Sequence, residues 1–268
     1  MNFLKTLLKK IFSQNIYNKL KNILFFYKKS KEKILNFFYL SKNDYNFNEN
    51  FFYQNNFNIS EIKKKLNING LDYYDCNLSW HYHLFAALSQ KFHKIKILEI
   101  GTYDGSFANF LSKIFPGSKI FTLDLPDNNK KYLNSYNRQN KFVFDKIKKK
   151  RTKNIDNDNI NFFQISSNNI AKQFCNEKFD LVWIDGDHLN PQVSNDILNC
   201  IKLTNPNSII CCDDIVMKKY RSKYISDDSY KLLNILEKQR KVRNWYVVKR
   251  MRFSNIFLKK FISYSIKL

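Results

Sequence analysis

The chain has 268 residues, 44% of them hydrophobic and 16% aromatic, with a formal net charge of +23. That length buries one good core with extensions and leaves little for a second full domain. The basic excess invites a nucleic-acid reading, because Lys and Arg neutralise phosphates and release counterions, yet only seven of the 46 basic residues are Arg, the side chain favoured for bidentate phosphate and base contacts. A compositional bias toward Lys, Asn, Ile, Phe and Tyr explains the charge equally well, so nucleic acid is not favoured as a partner. The five cysteines (Cys76, Cys175, Cys200, Cys211, Cys212) show neither CxxC spacing nor the pattern of a secreted scaffold. They read as reduced thiols of a cytoplasmic protein.

Residues 1–40 form a basic amphipathic helical extension. Apolar residues recur there at helical spacing (Leu4, Leu7, Leu8, Ile11, then Ile16, Leu20, Ile23, Leu24), with nine lysines against the single acid Glu32 in the first 35 residues. No apolar run in it has the roughly 7 to 15 residues of a signal-peptide core or the roughly 20 of a membrane span. Two readings stand: adsorption to an anionic membrane surface as a peripheral partner, or a stripe that packs on its own domain. Residues 41–70 are Asn-rich and weakly patterned and read as a linker with a short helix near Ile59 to Leu66. The remaining residues, 71–268, make one domain, interrupted by a basic insertion over 127–159.

Within that domain a helix over Leu78 to Gln90 precedes a short apolar strand, Ile95 to Ile100 (IKILEI). A glycine turn, a helix from Phe107 to Phe115, a Pro116-Gly117 turn and the strand KIFTLD follow. Strand, helix, strand is a βαβ unit and implies a parallel sheet. The alternation continues with a strand over Ile160 to Ile165, a helix over Asn168 to Asn176, the strand FDLVWID, the helix PQVSNDILNCIKLT and the strand SIICCDD. A helix from Asp228 to Lys241 then leads to two strand-like runs, NWYVVKRM and FSNIFLKKF, spaced as a hairpin. The expected fold is α/β: a doubly wound, Rossmann-like, mostly parallel sheet with a C-terminal antiparallel hairpin.

Chemistry concentrates at the strand ends. EIGTYDGS carries glycines at 101 and 105 but lacks the third glycine of a pyrophosphate-binding turn, whereas Asp124 ends the second strand where a ribose-binding carboxylate belongs. A nucleoside without a pyrophosphate fits both. In a parallel sheet the ends of the fourth and fifth strands open onto one crevice, which gathers Asp185, Asp187 and His188 with Asp213 and Asp214. Four carboxylates there raise one another's pKa values unless a cation intervenes. Hard oxygen donors suit Mg²⁺ or Mn²⁺. His81 and His83, ahead of the first strand, read most simply as core or surface histidines.

The series EIGTYDGS, FTLD, FDLVWIDGDH and SIICCDD resembles the class I S-adenosylmethionine-dependent methyltransferases, and more narrowly the metal-dependent O-methyltransferases related to catechol and macrolide-sugar enzymes. The resemblance covers about Leu78 to Phe261. It implies a cofactor site in which Glu99, Gly101 and Gly105, with Thr102 and Asp104, shape the methionine and ribose side. Asp124 binds the ribose hydroxyls, Ser167 contacts the adenine and Asp185 borders the cofactor. It further implies Asp185, Asp213 and Asp214 as metal ligands and His188 as catalytic base beside Asp185. The expected activity is methyl transfer to a hydroxylated small molecule, such as a sugar or glycan precursor. The alternatives are an RNA methyltransferase docking through its lysines and a non-catalytic scaffold.

Overall fold

Short runs of buried apolar residues build the sheet. The computed structural model describes residues 41–217 and 226–268, with isolated positions between 23 and 39. The helical extension expected over 1–40 and most of the segment 215–228 fall outside the described residues. The strands are β1 (Lys96–Ile100), β2 (Lys119–Asp124), β3 (Ile160–Gln164), β4 (Phe179–Ile184), β5 (Thr204–Ile215), β6 (Val242–Val248) and β7 (Phe261–Lys267). They form one seven-stranded sheet in the order β3-β2-β1-β4-β5-β7-β6. The first five in that order are parallel, and β7 runs antiparallel to both β5 and β6. Central strands such as FDLVWI are apolar apart from Asp180, because helices cover both faces. The strand order reverses between β1 and β4, and at such a switch point the carboxyl ends leave a crevice.

Three expectations about organisation change. Residues 41–70 are not a linker: they form α1 (Lys42–Gln54) and α2 (Ile59–Ile68), and Phe51, Phe52, Phe57, Ile62 and Leu66 are buried in the main core. The asparagines that suggested a loop are partly structural. Asn48 is fully buried and brackets Val248, donating from Nδ2 to its carbonyl at 2.9 Å and accepting its N–H on Oδ1 at 2.7 Å. The helix that follows, α3 (His81–Leu88), is covered on all sides, and Trp80 at its start stacks on Phe52 with ring centroids 5.7 Å apart.

The second change concerns the insertion 127–159. It contains α5 (Lys130–Asn134) and the long α6 (Lys141–Ile155), which follow α4 (Ser106–Ile114) in the chain. Arg151 anchors α6 from within, its guanidinium donating to both Asp127 oxygens at 2.7 and 2.8 Å and to Tyr132 Oη at 2.9 Å. The third change is the last strand. FSNIFLKKF holds a single 3₁₀ turn, Phe253–Ile256, and the strand is FISYSIK. Its Ser263 and Ser265 are fully buried and hydrogen-bonded, to the Cys212 N–H at 3.0 Å and to Asn244 Oδ1 at 2.7 Å. The helical remainder is α7 (Ile170–Gln173), α8 (Gln192–Lys202) and α9 (Asp228–Lys238). All five cysteines are free thiols, with Cys175 exposed. No helix among the described residues is long and apolar enough to cross a membrane.

Candidate active site

The ends of β1 and β4 approach so closely that only glycine fits at position 101. Its φ is +105°, and a Cβ there would stand 2.2 Å from the Asp185 carbonyl oxygen. The Asp185 N–H donates to the Ile100 carbonyl at 2.8 Å, so the turn after β1 and the first residue after β4 move as one piece. A cavity of about 710 Å³ opens beside this junction. Ile100, Leu123, Leu125 and Ile165 give it apolar walls, and Asp124, Ser167, Asp185, His188 and Gln192 supply polar groups. Asp124 accepts the N–H groups of Tyr103 and Leu125 at 2.9 and 2.8 Å. Burial raises its carboxyl above the ordinary range, against the pull of those amides and of Arg138 and Arg151.

Of the residues expected around a cofactor, Gly101, Asp124, Ser167 and Asp185 line this cavity. The others do not. Glu99 is buried beneath it, accepting from Thr122 Oγ1 at 2.6 Å, and Thr122 Oγ1 in turn meets the Thr102 hydroxyl at 2.6 Å. Enclosure pushes the Glu99 carboxyl up to about 8. Asp104 and Gly105 face α6: Lys150 Nζ donates to Asp104 Oδ2 at 2.7 Å, and a Cβ on Gly105 would lie 2.9 Å from Ile155. Tyr103, at φ +50°, reverses the chain between the two groups. Consecutive residues therefore serve different neighbours.

The insertion supplies lining residues that no motif singled out. Asn129, Tyr132, Ser135, Tyr136 and Arg138 form one wall. The Arg138 guanidinium lies 3.8 Å from the Tyr132 ring centroid and 5.3 and 5.2 Å from those of Tyr103 and Tyr136. Gln192 Nε2 donates to Ser167 Oγ at 2.8 Å and to the buried Asp196 Oδ1 at 2.7 Å. A regular wall of this kind carries no motif. Only the aromatic interleaving of KKYLNSYNR hinted at it.

At the far end the acids assemble as their strand positions require. The register of β5 against β7 shifts between Cys212 and Ile215, and Asp214 adopts φ +53°. His188 Nε2 stands 3.6 Å from Asp185 Oδ1 and 3.9 Å from Asp214 Oδ2, beyond hydrogen-bond range but close enough for charge to matter. Asp187 instead accepts the Leu189 N–H at 3.1 Å, as a turn-closing side chain. Two lysines neutralise the rest. Lys249 Nζ donates to Asp213 Oδ2 at 2.5 Å and Asp214 Oδ1 at 2.6 Å, and Lys260 Nζ donates to Asp214 Oδ2. Burial alone would raise both acids, but chiefly the Lys249 charge holds Asp213 and Asp214 below the ordinary aspartate range. Asp185, half-buried and facing Asp213, is pushed well above it by desolvation and by the charge of its neighbour.

The divalent cation expected among Asp185, Asp213 and Asp214 does not fit this arrangement. A hard cation needs oxygen lone pairs directed inward with no competing positive charge, and here an ammonium already holds one oxygen of Asp213 and one of Asp214. Among the described residues, no group of three or more His, Cys, Asp or Glu side chains is arranged to hold a metal. A lysine from the antiparallel hairpin supplies the positive charge among these acids instead.

Residues 98–215, from within β1 to the end of β5, match the methyltransferase domain family. Among solved structures, an O-methyltransferase from Bacillus cereus in complex with SAH superposes with a TM-score of 0.50 at 18% identity, over 78% of this chain and 91% of that one. The O-methyltransferase TomG from Streptomyces achromogenes, involved in tomaymycin synthesis, gives 0.49 at 15% identity over 84% and 98%. An rRNA methylase from Streptococcus thermophilus gives 0.44 at 11% over 70% and 96%. No curated protein matches the sequence. The superposition on the Bacillus cereus enzyme shows the same Rossmann-like fold, and residues 98–215 are similar to a methyltransferase domain. The Asp124 carboxylate faces the cavity at the end of β2, and Leu125 and Ile165 add apolar surface to it.

Proposed function

We propose that the protein transfers a methyl group from S-adenosylmethionine to a hydroxyl oxygen of a small hydroxylated acceptor, such as a sugar or another vicinal diol. The observation that carries this reading is His188 beside Asp185 at the cavity wall, with the Asp124 carboxylate lining the same space. Asp124 accepts the ribose hydroxyls, Ser167 and Gln192 border the base, and Gly101 lets the backbone approach the donor. Bound S-adenosylmethionine supplies an electrophilic methyl on a sulfonium, which leaves as a neutral thioether. The acceptor oxygen forms the new O–C bond as the C–S bond breaks, and its proton passes to the His188 imidazole. Its Nε2 is turned toward Asp185 and Asp214, and the Asp214 carboxylate, held in its charged form, stabilises the resulting imidazolium. Walls that exclude water and fix the two reactants supply the rest of the acceleration.

Calorimetric titration with S-adenosylmethionine, followed by a labelled-methyl screen over hydroxylated sugars and total RNA, tests the reading. Binding with label on a sugar oxygen supports it. Label on RNA alone assigns the lysines to nucleic acid instead, and no binding leaves a scaffold.

A further inference from the structure

The acid cluster is built around a lysine. Lys249 is almost fully enclosed, and its backbone is fixed from three sides. Asn48 brackets Val248 immediately before it, the Trp80 N–H donates to the Lys249 carbonyl at 2.8 Å, and the Lys249 N–H donates to the Lys260 carbonyl at 2.9 Å. A surface lysine that drifted into an empty metal site would lack this scaffolding. The ammonium has three donors, and Asp213 and Asp214 take one each. Asp213 is itself 3% exposed, so an unpaired charge there would be costly. Asp185, Asp213 and Asp214 all hold the ammonium in its charged form against the effect of burial.

We propose that Lys249 is the resident cation of this site, a positioning residue that occupies the place of a divalent metal, ties Asp213 and Asp214 together, and leaves Asp185 and His188 facing the cavity. The assignment rests on the methyltransferase reading for what the site is used for, though its test does not depend on that reading. Lys249 does not border the cavity, so it acts through the acids and not on the acceptor. Lys260 closes the remaining Asp214 oxygen from the rim. The cluster carries its counter-charge within the chain, and methyl transfer proceeds without Mg²⁺ or Mn²⁺.

Titration of the full chain with Mn²⁺ alone, read by water-proton relaxation, tests this directly. Wild-type protein is expected to bind no Mn²⁺ in the micromolar range. Lys249→Met, which keeps the length of the stem and removes the charge, is expected to gain a site with an affinity at least tenfold above the wild-type level, abolished by adding Asp213→Asn. Micromolar binding to the wild type, or none to a folded Lys249→Met, overturns the inference. Should Lys249→Met fail to fold by circular dichroism, amine acylation of the wild type read by mass spectrometry decides. Lys249 is expected to stay unmodified with and without excess Mg²⁺, and labelling that appears on adding Mg²⁺ would mean that the metal displaces it. S-adenosylmethionine titrated into the same samples separates the two claims: loss of cofactor binding removes the methyltransferase reading, whereas Mn²⁺ binding removes only this one.

Discussion

His188 is the residue on which oxygen chemistry turns in this reading. His188→Ala should lower turnover about 10²- to 10⁴-fold with S-adenosylmethionine affinity unchanged, measured by labelled-methyl transfer beside calorimetry; equal loss of both would move His188 to the cofactor. Asp124→Ala should do the reverse and weaken cofactor binding, because two hydrogen bonds to a charged acceptor are worth about 1.5 to 3 kcal/mol each. Gly101→Ala should impair both functions, since its new Cβ meets the Asp185 carbonyl. At this scale the sequence was informative wherever a residue type is scarce or its place is dictated by topology. Gly101, Asp124, Asp185 and His188 were legible because strand ends in a parallel sheet converge on one crevice. Glu99, Thr102 and Asp104 do not line the cavity, because a motif names consecutive letters and the positive φ at Tyr103 sends its neighbours to different partners.

Between residues and the whole, α1 and the hairpin β6–β7 decide how the acids are held. Asn48→Ala removes both bonds to Val248 and leaves a buried N–H and carbonyl unmatched, a loss of about 1 to 3 kcal/mol for each group left unsatisfied. Chemical denaturation would read it, and a wild-type midpoint would return residues 41–70 to the status of a linker. The helix α1 was not legible, whereas the hairpin was, with only its second strand displaced toward the C-terminus. Asparagine counts as a loop former in any propensity scale, and its use as a buried bracket depends on a strand 200 residues away. The parallel βαβ core, by contrast, was readable nearly to the residue, because its alternation of apolar runs and turns is local.

Across the whole molecule, buried titratable groups set the pH range of stability. The Glu99 carboxyl rises from 4.5 to about 8 on folding, so its contribution is fully present below about 4.5 and is lost as pH rises through about 8. His83, desolvated against Trp80 at a centroid distance of 4.3 Å, falls from 6.5 to about 4. Its contribution is present above about 6.5 and lost as pH falls through about 4. Denaturation midpoints for Glu99→Gln should therefore gain on the wild type between about pH 4.5 and 8, and a parallel trace of the two would remove Glu99 as the cause. For residues 1–40, co-sedimentation with anionic vesicles, compared with a chain lacking them and repeated at rising salt, separates surface adsorption from packing on the domain.

The position of β7 between β5 and β6 has a consequence for how the chain comes to be folded during synthesis. β5 is made well before the strand that will lie against it, and until then it is an open edge whose apolar run would invite pairing with another chain. Asp213 and Asp214 stand on that edge with their lysines not yet made. Two bare carboxylates at the rim of a nascent sheet repel a second copy of themselves, so the pair can guard the intermediate before serving the finished site. Chains halted near residue 240 should accordingly stay monodisperse, and Asp213→Asn with Asp214→Asn should make them aggregate while leaving earlier halts unaffected, as light scattering of the released chains would record.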